Sequence, residues 1–111
     1  DAEAQRIAKS AFEYHLKSLE WLRDRARAAG GSDLVTRLNV RRGSTFEECS
    51  GNGMIVAGSP ETVRAAIERE TAELGTNYLL TYLFFGTLTY AEAKRSLDLF
   101  SKEVMPALEK I

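Results

Sequence analysis

The chain has 111 residues, 44% of them hydrophobic and 28% charged, with 15 Lys and Arg against 16 Asp and Glu for a formal net charge of -1. That length suits one domain with one modest core, and the composition excludes disorder, collagen-like repeats and a disulfide scaffold. The balanced charge gives no basic field, so nucleic acid and acidic membrane surfaces are not expected partners.

The longest nearly unbroken apolar stretch, Tyr78 to Phe85, falls far short of the roughly 20 residues needed to cross a bilayer. Cys49 is the only cysteine and cannot close an internal disulfide. With no signal-peptide pattern in view, a soluble protein in a reducing cytoplasm is the expectation. The first residue is Asp1, without a Met, which suggests a processed chain or part of a longer polypeptide.

Residues 2 to 29 read as one long amphipathic helix. Ala8, Ala11, Phe12, His15, Leu16, Leu19, Leu22 and Ala26 recur at three- and four-residue steps, and Gly30-Gly31 supplies the stop. Trp21 lies off this stripe and is expected to shield a flank. Residues 31 to 53 form a connection in which Leu34, Val35, Leu38 and Val40 suggest a short helix and Arg41-Arg42-Gly43-Ser44 a turn. Thr45 and Glu48 then fit a capping box for a helix from Phe46 to Ser50, ended by Gly51-Asn52-Gly53.

From Met54 the pattern predicts a strand, a helix, a strand and a helix. Met54 to Ala57 is an apolar run bounded by glycines, as for a strand buried on both faces. Ser59 as N-cap, Pro60 in the first turn and Glu61 beside it open a helix that Gly75 closes. Asn77 to Phe84, apolar on both alternations, is the second expected strand. Thr89 and Glu92 form another capping pair, opening a helix whose stripe is Ala93, Leu97, Phe100 and Val104 and which Pro106 should kink or end. A helix between two strands implies a parallel pair with a right-handed crossover. The expected fold class is α/β.

The residues offer little dedicated chemistry. His15 and Cys49 stand alone, 34 positions apart, so no metal-ligand cluster forms in sequence and no nucleophile, base and orienter can be assembled. His15 on the apolar stripe reads as a packed histidine, and Cys49, flanked by Glu48 and Ser50, as an inert thiol. Gly51-Asn52-Gly53 lacks the lysine of a phosphate loop and the third glycine of a dinucleotide fingerprint. Gly58 and Ser59, at a strand-to-helix turn, are candidates to hold an anion on backbone N–H groups, although plain helix capping competes, because Pro60 removes a donor and Glu61 adds a negative charge. Phe84, Phe85 and Gly86, at the end of the second expected strand, fit either pocket lining or simple packing. Tyr78 and Tyr82 read as core.

Three phrases in order carry a family resemblance. Ala57-Gly58-Ser59-Pro60-Glu61-Thr62-Val63, then Leu83-Phe84-Phe85-Gly86, then Ser96-Leu97 to Phe100 with Glu103-Val104-Met105-Pro106-Ala107-Leu108, together resemble the C-terminal end of the bacterial luciferase-like flavin-dependent monooxygenases. The resemblance implies the last part of a (β/α)8 TIM barrel, with Met54 to Ala57 as strand seven and Asn77 to Phe84 as strand eight. It further implies reduced FMN, or a deazaflavin in relatives, and often oxygen, acting on a small organic substrate. Gly58 and Ser59 would face the cofactor, and Phe84, Phe85 and Gly86 the substrate. No catalytic residue carries over by motif.

A whole barrel needs roughly 250 residues, so the chain alone is expected to be inactive and to bind FMN weakly or not at all. The expectations are therefore a piece of a flavin-dependent oxidoreductase or, alternatively, a non-catalytic α/β module descended from that family that completes its sheet by self-association, with a homo-oligomer expected under either reading.

Overall fold

The computed structural model describes residues 1–31 and 45–109. Helix α1 runs Ala2–Ala28 and is closed by Gly30 at φ +77°, its N–H donating to the Arg27 carbonyl at 3.0 Å. Helix α2, Phe46–Gly51, starts where the Thr45 hydroxyl accepts from the Glu48 N–H at 3.1 Å. Helix α3, Pro60–Leu74, is capped by Ser59, whose Oγ accepts from the Thr62 N–H at 3.3 Å, and ends at Gly75 with φ +63°. The short helix expected around Leu34 and the turn at Arg41 to Ser44 lie outside the described residues.

Helix α4, Tyr90–Leu99, opens with a complete capping box. Thr89 Oγ1 accepts from the Glu92 N–H at 3.2 Å while the Glu92 carboxylate accepts from the Thr89 N–H at 2.8 Å. The expected kink at Pro106 takes a particular form: α4 passes into a π-helical turn, Phe100–Val104, before resuming as α5, Met105–Leu108. Proline has no N–H to give and its ring crowds the carbonyl four residues back, so a wider turn just ahead of it relieves both faults.

The α/β expectation is corrected here. Among the described residues there is no strand: Met54 to Ala57 and Asn77 to Phe84 are both irregular, and neither pairs with the other or with anything else as a ladder. The two-strand parallel unit, and with it the barrel end that the resemblance implied, is absent. The reason is visible in the backbone. The N–H groups of Met54 and Ile55 both turn back to the Cys49 carbonyl, at 2.9 and 3.2 Å, so this segment completes the end of α2 instead of donating across a sheet. Asn77 to Phe84 runs without helix, turn or bend from Thr76 to Phe85.

The main core gathers Ala8 and Phe12 of α1, Phe46 and Cys49 of α2, and Ile55, with Leu16, Ala57 and Phe85 packed against it. The rings of Phe46 and Phe85 both meet Phe12 edge-on, at 6.4 and 6.0 Å between centroids. A second buried group forms where α3 packs on the π turn and α5, with Ala66, Ile67 and Val104 inside. Leu22, expected on the buried stripe of α1, is exposed, as are Leu74 and Leu97. Trp21 is exposed as well and carries the Arg25 guanidinium 4.7 Å above its ring.

The molecule is thin, 49 × 33 × 19 Å, with a radius of gyration of 15.6 Å. A compact domain of this length would measure about 13 Å. Its accessible surface is 8231 Å², against about 6,100 Å² for a compact monomer of this mass.

Candidate functional site

Helix α1 organises both places that the sequence singled out. At its start, the Asp1 carboxylate oxygen Oδ1 accepts from the Ser59 N–H at 2.5 Å and from the Thr62 hydroxyl at 2.9 Å. One turn on, the Gln5 side-chain amide donates to the Ala57 carbonyl. Farther along the same face, Phe12 meets Phe85 and the Ala11 backbone meets Gly86. The ten residue steps from Asp1 to Ala11 rise about 15 Å along a helix, so Gly58 and Ser59 are set well apart from Phe84, Phe85 and Gly86. The candidate cofactor and substrate residues do not converge on one pocket.

Gly58 and Ser59 do not fit a phosphate. The N–H groups of Ser59, Thr62 and Val63 are taken by Asp1, by the Ser59 hydroxyl and by the Ser59 carbonyl, and Pro60 has none. The Asp1 carboxylate already holds the place that an anion would take at a helix N-terminus, and Glu61 adds further negative charge. Gly58 is required by close approach, since a Cβ there would stand 2.7 Å from both Asp1 Oδ1 and Thr62 Cγ2. No feature of the sequence announced this cap, because its two halves lie 58 residues apart.

Phe85 and Gly86 anchor the chain to α1. Gly86 has φ +57°, and a Cβ on it would collide with the Ala11 carbonyl. Phe84 instead points outward. It ends an exposed row that includes Tyr78 and Tyr82, the two residues expected in a core: Tyr78 is 78% exposed, Leu80 82%, Tyr82 75% and Phe84 58%. The alternate residues Leu83 and Phe85 are half-buried. The alternation of a strand is confined to this end: residues 77 to 82 are exposed on both alternations, and only Leu83 and Phe85 turn toward the chain's own core. Among the described residues, Asn77 to Phe84 make no hydrogen bond, backbone or side-chain.

The concave surfaces elsewhere are shallow. One open groove of about 610 Å³ between α1 and α2 is lined by Gln5, Arg6, Lys9, Phe46 and Glu47 among others. Its cations are already paired, Arg6 with Glu3 at 2.7 Å and Lys9 with Glu47. These hydrogen-bonded pairs hold the Glu3 and Glu47 carboxyls below the usual carboxylate range and push Lys9 up. Cys49 is wholly buried, and burial, with the Glu48 charge beside it, pushes its thiol up. His15 leans against Phe12 at 5.8 Å between centroids. No helix is long and apolar enough to cross a membrane among the described residues.

Comparison with protein-family models, curated proteins and solved structures found no match to this chain. The candidate functional feature is therefore the uncovered segment 76–85, carried on a helical platform.

Proposed function

We propose that this chain is an association module, which does its work by presenting segment 76–85 to another polypeptide strand. One observation carries the reading: eight consecutive residues, Asn77 to Phe84, have no backbone hydrogen-bond partner among the described residues while showing an uncharged apolar row to solvent. Backbone N–H and C=O groups and large apolar side chains both gain by being covered. A homo-oligomer meets both needs, and the single buried cysteine supports a reducing, cytoplasmic setting. Light scattering across a concentration series tests the reading. An average mass rising above the 12.3 kDa of one chain is expected, and a constant single-chain mass overturns it.

The ordered phrases around Gly58, Phe84 and Pro106 support a second reading, in which the chain is part of a luciferase-like flavin-dependent oxidoreductase acting with reduced FMN on a small organic substrate. The turn at Ser59 does not fit the flavin phosphate, for the reasons above. The chain by itself is therefore expected to leave FMN fluorescence unchanged in a titration. A stoichiometric complex in the low micromolar range would put the oxidoreductase reading first.

A further inference from the structure

We infer that segment 76–85 is a processing site for an endopeptidase that takes aromatic or leucine side chains, and that the two fragments stay assembled after the cut. The inference goes beyond the association reading, because it concerns a single chain. Endopeptidases hold their substrates extended, reading the backbone by hydrogen bonds and alternate side chains by pockets, in the manner of an added strand. Asn77 to Phe84 meet that need as they stand. The run has no helix, turn or bend, makes no hydrogen bond among the described residues, and is exposed on both alternations from 77 to 82. Tyr78, Leu80 and Tyr82 offer exposed side chains to such a pocket, and no Lys or Arg stands between Arg69 and Lys94, so a protease selective for basic residues finds no bond here.

Comparable apolar residues elsewhere do not qualify. Tyr14, Trp21 and Leu22 are more than half exposed, but their amides lie inside α1, so cutting beside them requires the helix to open first. The other irregular run, Met54 to Ala57, returns two amides to the Cys49 carbonyl and buries Ile55. Hydrolysis adds one water across the bond: the acyl carbon ends as a carboxylate and the departing nitrogen as a new amino terminus. The fragment after the cut is held at two places. Phe85 packs on Phe12, and Val104 is buried with Ala66 and Ile67 where the π turn and α5 meet α3. Cleavage therefore releases two free ends and leaves one particle.

The test digests the full chain with chymotrypsin, at a dilution where it has the mass of one chain, and locates the cuts by mass spectrometry. The first cuts should fall between Tyr78 and Leu83. The two fragments should separate on a denaturing gel and co-elute at the parent's position in gel filtration. Because a bond in this strip needs no opening, its cleavage rate, corrected for the protease's own activity, should stay within about twofold as urea is added, whereas bonds in α1 should be cut about fivefold faster for each molar of urea. The variant Y78D/L79D/L80D/Y82D, altered only at exposed side chains, should keep the helical circular dichroism signal and lose these cuts.

A chain half digested with its bonds from Tyr78 to Leu83 intact would overturn the inference. So would cleavage there that quickens with urea as steeply as in α1, the mark of a strip that must first detach. Fragments that part in gel filtration would overturn it as well. None of these outcomes depends on whether the chain self-associates at higher concentration, so the association reading stands or falls separately.

Discussion

The ring of Phe85 stands edge-on to that of Phe12, with planes at 86° and centroids 6.0 Å apart, and this contact holds the end of segment 76–85 to α1. Phe85→Ala should therefore destabilise the monomer by about 2 kcal/mol, below the range for a fully buried phenylalanine because this one is half-buried. Phe84→Ala, one residue away with its ring in solvent, should stay within about 0.5 kcal/mol. Urea denaturation at concentrations below association measures both. Equal losses would show that the two rings share one buried environment.

Ser59→Ala removes the acceptor for the Thr62 N–H and should cost about 1 kcal/mol, the usual worth of an N-cap. Asp1→Ala should cost a similar amount, since the Ser59 N–H and the Thr62 hydroxyl lose a shared carboxylate. The two sites share one hydrogen-bond network, so the double variant should lose less than the sum of the singles. Additive losses in a double-mutant cycle would show that the caps act independently.

The caps were the legible part of this chain. Thr45 with Glu48, Ser59 with Pro60, and Thr89 with Glu92 each sit within a few residues of the amides they serve, so local spacing alone locates the helix starts at Phe46, Pro60 and Tyr90. The strands were not legible for the opposite reason. An apolar run such as Asn77 to Phe84 says only that the segment can pair, while a ladder needs a second edge, and none is present among the described residues. Tyr78 and Tyr82 were expected in a core on the same grounds and are exposed. For the candidate site, Gly58 and Ser59 were found at a helix start as expected, but the carboxylate that closes it comes from Asp1, beyond the reach of any local pattern.

Acid should weaken the surface ion pairs of α1 and α4. Glu3, Glu47 and Asp98 are held below the usual carboxylate range, first by hydrogen bonds from Arg6, Lys9 and Lys94 respectively. A lowered carboxyl stabilises the fold above its unfolded-state value, and that contribution disappears as pH falls through the folded-state value, which here lies below the ordinary carboxylate range. Lys9, pushed up by Glu47, has the opposite sign: its contribution is complete at neutral pH and is lost only as pH rises through the lysine's raised value. Thermal melts followed by circular dichroism should show a plateau through neutrality and a fall on the acid side. Added salt should shrink the acid-side difference, because all these groups are exposed. A melting temperature that rises on acidification would contradict these signs.

Cys49 should be chemically quiet. Its thiol is buried and pushed up, first by burial and then by Glu48, which keeps the reactive thiolate scarce at neutral pH. Aromatic disulfide reagents should label it slowly in the native chain and promptly in denaturant. Cys49→Ser, which places a hydroxyl in that apolar site, should cost about 1 to 3 kcal/mol. Rapid native labelling would show that the core around Phe46 and Ile55 opens readily.

Gly86 meets two demands at once, a left-handed backbone and contact too close for any Cβ against the Ala11 carbonyl. Asparagine could satisfy the first but not the second, so no ordinary replacement meets both. The glycine therefore fixes the heading of the preceding strip relative to the long axis of α1. A substitution at Gly86 would thus re-aim the exposed strip without altering any residue within it.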